Sequence, residues 1–377
     1  MEADQKFNME FSEQHYVPVL KWKRGEARAL KDLDPAVKAA CTPLVEVVPV
    51  PTDPETGAAK KTLSKHLDDA IAEMKSSWGT AHPVFVDIRL LPPNQATGAT
   101  LTGLFDRLRA AAILAIPVIS TGATQDILQA AAGIHKKDRR GVCLREGLDA
   151  VMAPAFPVAV SKALLATGVT QKTADVVIDM QDVSANKTTV NAALAASAIG
   201  KVPNLKAWRT FTIVATAFPL NLSGIAPGVH TLPRAEWALW KALGSLPRRP
   251  TYGDYAVAHW DLQELDPRVI LISASIRYTS DDEWVIFRGR NVKNYGFGQF
   301  TALSKLVVKH PAYCGSAFSA GDDYIAACAS GTVGSGNHET WRRVATNHHI
   351  TFVVDQLSKL ALGASVPAAP ASGAASN

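Results

Sequence analysis

A chain of 377 residues, 47% hydrophobic and 19% charged, is long enough to bury a full core, and its composition excludes wholesale disorder. Its formal net charge of +5 is spread without a long basic run, which argues against a nucleic-acid surface and leaves room for a small anionic partner. Four cysteines, Cys41, Cys143, Cys314 and Cys328, are far apart and form no CxxC pair, so neither a zinc centre nor a disulfide framework is signalled.

The opening "MEADQKFNMEFSEQ" is polar and acidic, and no run of about 18 apolar residues follows, so a cytoplasmic protein without a membrane span is expected. Short apolar, β-branched runs then recur. "YVPVLKWK" (16–23), "PLVEVVP" (43–49), "VFVDIRL" (84–90) and "IPVIST" (116–121) read as four strands. "VCLRE" (142–146), "VVIDMQD" (176–182), "FTIVATAF" (211–218) and "PTYGDYAV" (250–257) read as four more. Helical patterns lie between them. In "KTLSKHLDDAIAEMKSSW" (61–78), Leu63, Leu67, Ile71 and Met74 share one face, and the stretches 101–115, 124–137 and 234–243 repeat that spacing. Eight such units match a closed (β/α)8 TIM-like barrel, which takes about 250 residues, and the expected span is 15–262. An open doubly wound sheet is the rival, disfavoured because no GxGxxG follows the first strand.

Beyond the barrel the pattern changes. "VILISASIRYT" and "EWVIFRG", joined across a turn, predict a β-hairpin, and helices are expected at 300–310, 322–330 and 338–362. Together they make a C-terminal α+β extension over 263–362. The Ala/Ser/Pro/Gly stretch 363–377 reads as a disordered tail.

In a (β/α)8 barrel the reactive groups stand at the carboxyl ends of the strands. Lys21 and Lys23 share the parity of Val17 and Val19, so a period-two strand points all four the same way. The same test aligns Glu46 with Leu44, Asp87 and Arg89 with Phe85, Arg145 with Cys143, Asp179 with Val177 and Asp254 with Tyr252. The expected mouth therefore carries Lys21, Lys23, Arg89 and Arg145 against Glu46, Asp87, Asp179 and Asp254, with Tyr252 and Tyr255 able to stack on a ligand. Such groups must pair with one another or bind something polar. One outcome is a salt-bridge network that closes the barrel top. The other is a site in which Lys21, Lys23, Arg89, Arg145, Asp254 and Tyr255 hold an anion while Glu46, Asp87 and Asp179 move a proton. A lysine among cations could also form a Schiff base, and three carboxylates could instead hold magnesium. No motif identifies a cofactor.

Other constellations carry less. "NHH" (347–349) with His338 lacks the HExxH spacing of a zinc site and reads as polar residues on a helix surface. In 314–331, Ser319 or Asp322 is expected to cap a helix, since the phosphate-loop pattern GxxxxGK[ST] is missing. Gly253, before Asp254, suggests a backbone conformation that other residues resist.

Taken in order, "YVPVLKWKRGEARAL", "TPLVEVVP", "VFVDIR", "LPRAEWALWKAL", "RPTYGDYAV", "ISASIRYTSDDEWVIFRGR" and "GNHETWRRVATNHHITFVVDQL" resemble the beta-protein family, named for a protein of a satellite phage. The resemblance spans about residues 15 to 360 and implies a component of an antiphage defence or toxin-control module. It supplies no catalytic residues. A subunit of that kind would dock on another protein of the module, and Trp341, Arg342 and Arg343 are expected to be exposed together as the anchor. The alternative is a hydrolase or lyase acting on a small phosphorylated or nucleotide-like substrate at the mouth.

Overall fold

The computed structural model describes residues 9, 11, 14–183, 187–262 and 272–364. Eight parallel strands close into a barrel. These are β1 (Tyr16–Lys21), β2 (Leu44–Glu46), β3 (Val84–Asp87), β4 (Ala115–Ile119), β5 (Val142–Gly147), β6 (Ala174–Asp182), β7 (Thr210–Thr216) and β9 (Thr251–Asp254). β9 pairs with both β7 and β1, which completes the circle. All eight strand positions read from the sequence are barrel strands.

The wall is buried on both faces, which is why its strands read as apolar runs. Inside, Val17, Val19, Leu44, Phe85, Ile116, Val118, Cys143, Val177 and Val214 fill the core, joined by Met9 from the N-terminal segment. Outside, Tyr16, Leu20, Val45, Val86, Val176, Ile213 and Tyr252 face the surrounding helices. Gly253 is the inward residue of β9. A Cβ there would stand 2.7 Å from Val214 Cγ2 and 2.9 Å from the Val17 carbonyl oxygen, so close approach of strands requires glycine. The expected reason, an unusual backbone conformation, is not the operative one.

Helices α1 (Arg24–Lys31) and α2 (Pro35–Ala39) follow β1, α3 (Leu63–Ser77) follows β2, α4 (Gly98–Ala110) follows β3 and α5 (Gln125–Asp138) follows β4. α6 (Leu148–Met152) and α7 (Phe156–Thr167) follow β5, and α8 (Thr188–Lys201) follows β6. In α3 the predicted stripe is buried at Leu67, Ile71 and Met74, and the Thr62 side chain caps the helix by accepting the Lys65 N–H.

After β7 the chain does something its sequence did not announce. β8 (Gly228–Pro233) leaves the barrel, and α9 (Ala235–Ala242) then leads back to β9. β8 pairs antiparallel with β11 (Glu283–Asn291), whose other edge pairs with β10 (Ser273–Thr279), giving the order β10-β11-β8. The short elements α10 (Val292–Tyr295), α11 (Gln299–Val307) and α12 (Ala320–Ser330) and the long α13 (His338–Ala364) complete the extension. Ser319 caps α12 by accepting the Asp322 N–H. Residues 269–271 of the expected hairpin and 365–377 of the expected tail lie outside the described residues.

α13 corrects two expectations. It packs against the extension's sheet on one side and α1 of the barrel on the other, so little of its middle meets water. Asn347, His348 and His349 are buried rather than on a helix surface. Asn347 donates to the Ala29 carbonyl at 3.0 Å and accepts the Gly321 N–H at 2.8 Å. Trp341 is only 5% exposed, stacked on Phe300 at 4.5 Å with its indole N–H on the Ser335 carbonyl. Arg342 and Arg343 turn toward the barrel half, Arg342 to the Val257 carbonyl and Arg343 to Asp32. The expected docking anchor is therefore not formed as a shared exposed patch.

Candidate functional site

Register alone assembles the barrel top. Lys21 pairs with Glu46 and Glu46 with Asp87, so the inward side chains of β1, β2 and β3 end in one row. Arg145 comes from β5, Asp179 from β6 and Tyr255 from just past β9. The turn that delivers Tyr255 is made by Asp254 Oδ1, which accepts the Ala256 N–H at 2.8 Å, with Ala256 at a φ of 50°.

Arg145 is the hub. Its side chain is 2% exposed, and its Nη1 donates to Glu46 Oε1 at 2.8 Å and Asp87 Oδ2 at 3.0 Å. Its Nη2 donates to Asp179 Oδ2 and the Tyr255 hydroxyl, both at 2.7 Å, while Nε reaches Asp179 Oδ2 at 3.0 Å. The Tyr255 hydroxyl in turn donates to Asp179 Oδ2 at 2.6 Å. Burial opposes the charge on Arg145, but Tyr255, Asp179, Glu46 and Asp87 outweigh it and hold the guanidinium well above its ordinary range.

Lys21 stands at the edge of this network. It is 9% exposed and donates to the carbonyls of His259 and Trp260 at 2.7 and 2.8 Å, tying the segment after β9 across the barrel top. Its ammonium lies 4.0 Å from Glu46 Oε2, a buried oxygen with no hydrogen-bond partner among the described residues. Burial lowers the Lys21 pKa, Glu46 opposes that shift, and Arg145 and Arg342 add to it.

Lys21, Glu46, Asp87, Arg145, Asp179 and Tyr255 thus meet in one place. Arg89 lies on the rim, its side chain a third exposed, with Nε on Asp87 Oδ2 at 2.6 Å and Nη2 on the Arg145 carbonyl at 3.2 Å. Lys23 is not in the row. β1 ends at Lys21, and Lys23 is exposed as the residue preceding α1. Asp254 is not there either, because Gly253 takes the inward position and turns Asp254 and Tyr252 outward. Tyr255 is buried, with its hydroxyl in the network, so it offers no open stacking face, and Tyr252 packs against Trp237 and Trp240.

The outward position gives Asp254 a second network that sequence reading missed. It accepts from the hydroxyls of Tyr16 and Tyr252 and from His349 Nε2 at 2.9 Å. Burial opposes ionisation of Asp254, yet His349, Tyr16 and Arg234 outweigh it and hold the carboxyl down at about 2. His349 Nδ1 meets the Thr279 hydroxyl at 2.8 Å, His348 Nε2 meets the Thr279 carbonyl at 2.9 Å, and His348 Nδ1 meets Asp322 at 2.8 Å. A continuous polar path therefore runs from the barrel wall to α12. Nearby Glu236 is pushed up to about 7 by burial, with Arg234 opposing and Asp254 reinforcing the shift. No local motif announces this path, since its members lie on β1, β9, β10, α12 and α13.

Among the described residues, no group of three or more His, Cys, Asp or Glu side chains is arranged to hold a metal ion, and no helix is long and apolar enough to cross a membrane.

A family model described as Beta protein matches residues 16–355. The chain belongs to the Beta protein family. No curated protein matches it. Among solved structures, similarity is found to an enolase from environmental shotgun sequencing of the Sargasso Sea, 12% identical, covering 64% of this chain and 53% of that one with a TM-score of 0.29. This Beta-family chain thus spans about half the length of that enolase. A triosephosphate isomerase from Bartonella henselae is 11% identical over 64% of this chain and 92% of its own, with a TM-score of 0.32. The enoyl reductase domain of MlnA from the macrolactin cluster of Bacillus amyloliquefaciens is 11% identical over 94% and 83%, with a TM-score of 0.37. For the Beta-family chain itself, the (β/α)8 barrel rests on its own strand pairs.

Proposed function

We propose that the chain is the ligand-recognising component of a module carried by a phage or other mobile element, in antiphage defence or toxin control, and that it reads a small anionic molecule at the top of the barrel. The module role is what family membership implies. Recognition is favoured over catalysis by the state of the aspartates. Both oxygens of Asp87 are taken by Arg89 and Arg145, and both oxygens of Asp179 by Arg145, Tyr255 and the Gln181 N–H. A general base needs an oxygen within reach of a substrate proton. An anionic ligand is favoured by Lys21, whose ammonium donates to two backbone carbonyls and, among the described residues, stands 4.0 Å from a single carboxylate oxygen.

A second reading, the hydrolase or lyase, is favoured by that same pair. A lysine with a lowered pKa beside an unpartnered Glu46 oxygen, at the carboxyl end of β1, is a proton-transfer arrangement.

One experiment separates them. The full chain is unfolded thermally against nucleotides, sugar phosphates and divalent metals, and each stabilising compound is then recovered and weighed by mass spectrometry. A ligand at about 100 times its dissociation constant should stabilise by roughly 2.7 kcal/mol. Recovery unaltered supports recognition. Conversion that is lost in Lys21→Ala supports the enzyme, and no stabilisation by any compound sinks both. The module role has its own test, the plaquing of a phage panel on cells carrying the intact cassette or the cassette without this gene. Reduced plaquing that needs the gene is expected for a defence role, and equal plaquing rejects it.

A further inference from the structure

The extension brings a separate group of cations against the barrel top. Arg277 on β10 and Arg342 on α13 both donate from Nη1 to the carbonyl oxygen of Val257, at 2.6 and 3.0 Å. Two like charges on one neutral acceptor repel each other unless an anion lies between them. Among the described residues, one carboxylate is at hand. Glu26, buried in the first turn of α1, lies 3.5 Å from Arg342 Nε and forms no ion pair with Arg277. Apart from Val257, the Arg277 guanidinium has the face of Phe218 at 4.7 Å. Arg288 on β11 faces the same side of the sheet, because the register sets Arg277 opposite Ile286, and its Nε is spent on the Ile225 carbonyl at 2.6 Å.

The group meets solvent at Arg342. Arg277, Arg288 and Arg342 are all partly exposed, with 31% of the Arg342 side chain open to solvent. Burial, with Arg342 and Arg288 adding to it and Glu26 opposing, lowers the Arg277 guanidinium well below its ordinary range. Such a cation gains from any anion that arrives.

We propose that Arg277 and Arg342 form a phosphoryl-binding site at the seam between the barrel top and the extension, with Arg288 beside them. A phosphate presents several acceptor oxygens to two guanidinium forks at once and screens their repulsion, which a carbonyl oxygen does not. The site rests on the reading that this chain recognises a small anion, and it puts the charged end of that anion on the flank of the Arg145 network, where the mouth side chains already bind one another. A phosphoryl group bound there would also tie β10 and α13 to the segment that closes the barrel.

The test is thermal unfolding of the full chain titrated with sodium phosphate, or separately with adenosine monophosphate, against sodium chloride of equal ionic strength. Wild type should show a saturable, phosphate-specific rise in melting temperature. The rise should vanish in Arg277→Gln and Arg342→Gln, and its half-saturating concentration should increase severalfold in Arg288→Gln, which leaves the Val257 carbonyl contacts intact if the first two variants fold poorly. A lower half-saturating concentration for the nucleotide than for free phosphate identifies a phosphate ester as the ligand; equal values identify the free anion. A rise unchanged in all three arginine variants but lost in Lys21→Ala overturns this site and leaves anion recognition at the mouth standing. No phosphate-specific rise in wild type overturns the site, and stabilisation by another anion of the panel would then carry the broader reading alone.

Discussion

Replacing Arg145 with methionine should lower the unfolding free energy by about 3–5 kcal/mol, the usual cost of removing one partner from a buried ionic network. The charge is more damaging to remove than to keep. Arg145 serves Glu46, Asp87 and Asp179 from a side chain that is 2% exposed, so its loss leaves three carboxylates facing one another in the barrel top, with Lys21 and Arg89 as the nearby cations among the described residues. Urea unfolding near neutral pH measures the loss. Acidification of the variant should recover part of it, because a protonated carboxyl costs far less to bury than an ionised one. Adding Asp87→Asn and Asp179→Asn to the variant should recover more at neutral pH. A loss below about 1 kcal/mol would mean that water fills the space and that the top is open, in conflict with the closed network described above.

Asp254→Ala should be comparably costly, again about 3–5 kcal/mol, by a different route. Here the loss strands donors: the hydroxyls of Tyr16 and Tyr252, the His349 ring and the Ala256 N–H all lose their acceptor, and Arg234 loses a neighbouring charge. The pH dependence has a definite sign. The folded carboxyl at about 2 lies below its unfolded value near 3.8, so its stabilisation is fully present above about pH 4 and is lost as the pH falls toward 2. That contribution is about 2 kcal/mol. Asp254→Asn should therefore flatten the acid limb of the stability profile, measured by unfolding at a series of pH values between 2 and 5. An unchanged acid limb would show that Asp254 is not the group that titrates there.

The contrast between these two aspartate sites explains what could be read in advance. The barrel was legible because a strand buried on both faces leaves an unmistakable apolar run, and eight of them alternated with helical patterns. Lys21, Glu46, Asp87, Arg145 and Asp179 were legible because parity links each to an apolar neighbour that lies inside the barrel, such as Val19, Phe85 or Cys143. Parity fails at Asp254. It says which residues share a side of a strand but not which side faces in, and with both faces buried the hydrophobicity of Tyr252 decides nothing. The steric fact that decides it, the fit of Gly253 against Val214 and Val17, lies in two other strands. Lys23 fails for a simpler reason, since the strand ends two residues earlier than its apolar run suggests. His348 and His349 could not be assigned from their helix alone, because their burial comes from the sheet and barrel wall packed around α13. Arg277 and Arg342 could not be paired at all, being 65 residues apart in sequence and joined only through Val257.

The strand β8 carries a consequence for how this chain can be built, cut or inherited. It lies between two barrel strands in sequence yet belongs to the extension's sheet, so the polypeptide crosses from barrel to extension, back to the barrel, and out again. No single cut separates the two halves cleanly. A chain ending after β9 would retain β8 with an unpaired edge, open to other chains. A transplanted extension would lack its outer strand. On the ribosome, β8 emerges long before β11 and must wait for it, so the sheet is completed only after the barrel's last strand has been made. The extension is therefore woven into the barrel's connectivity, and recombination that shuffles intact units would find no single junction that leaves both the barrel and the extension's sheet whole.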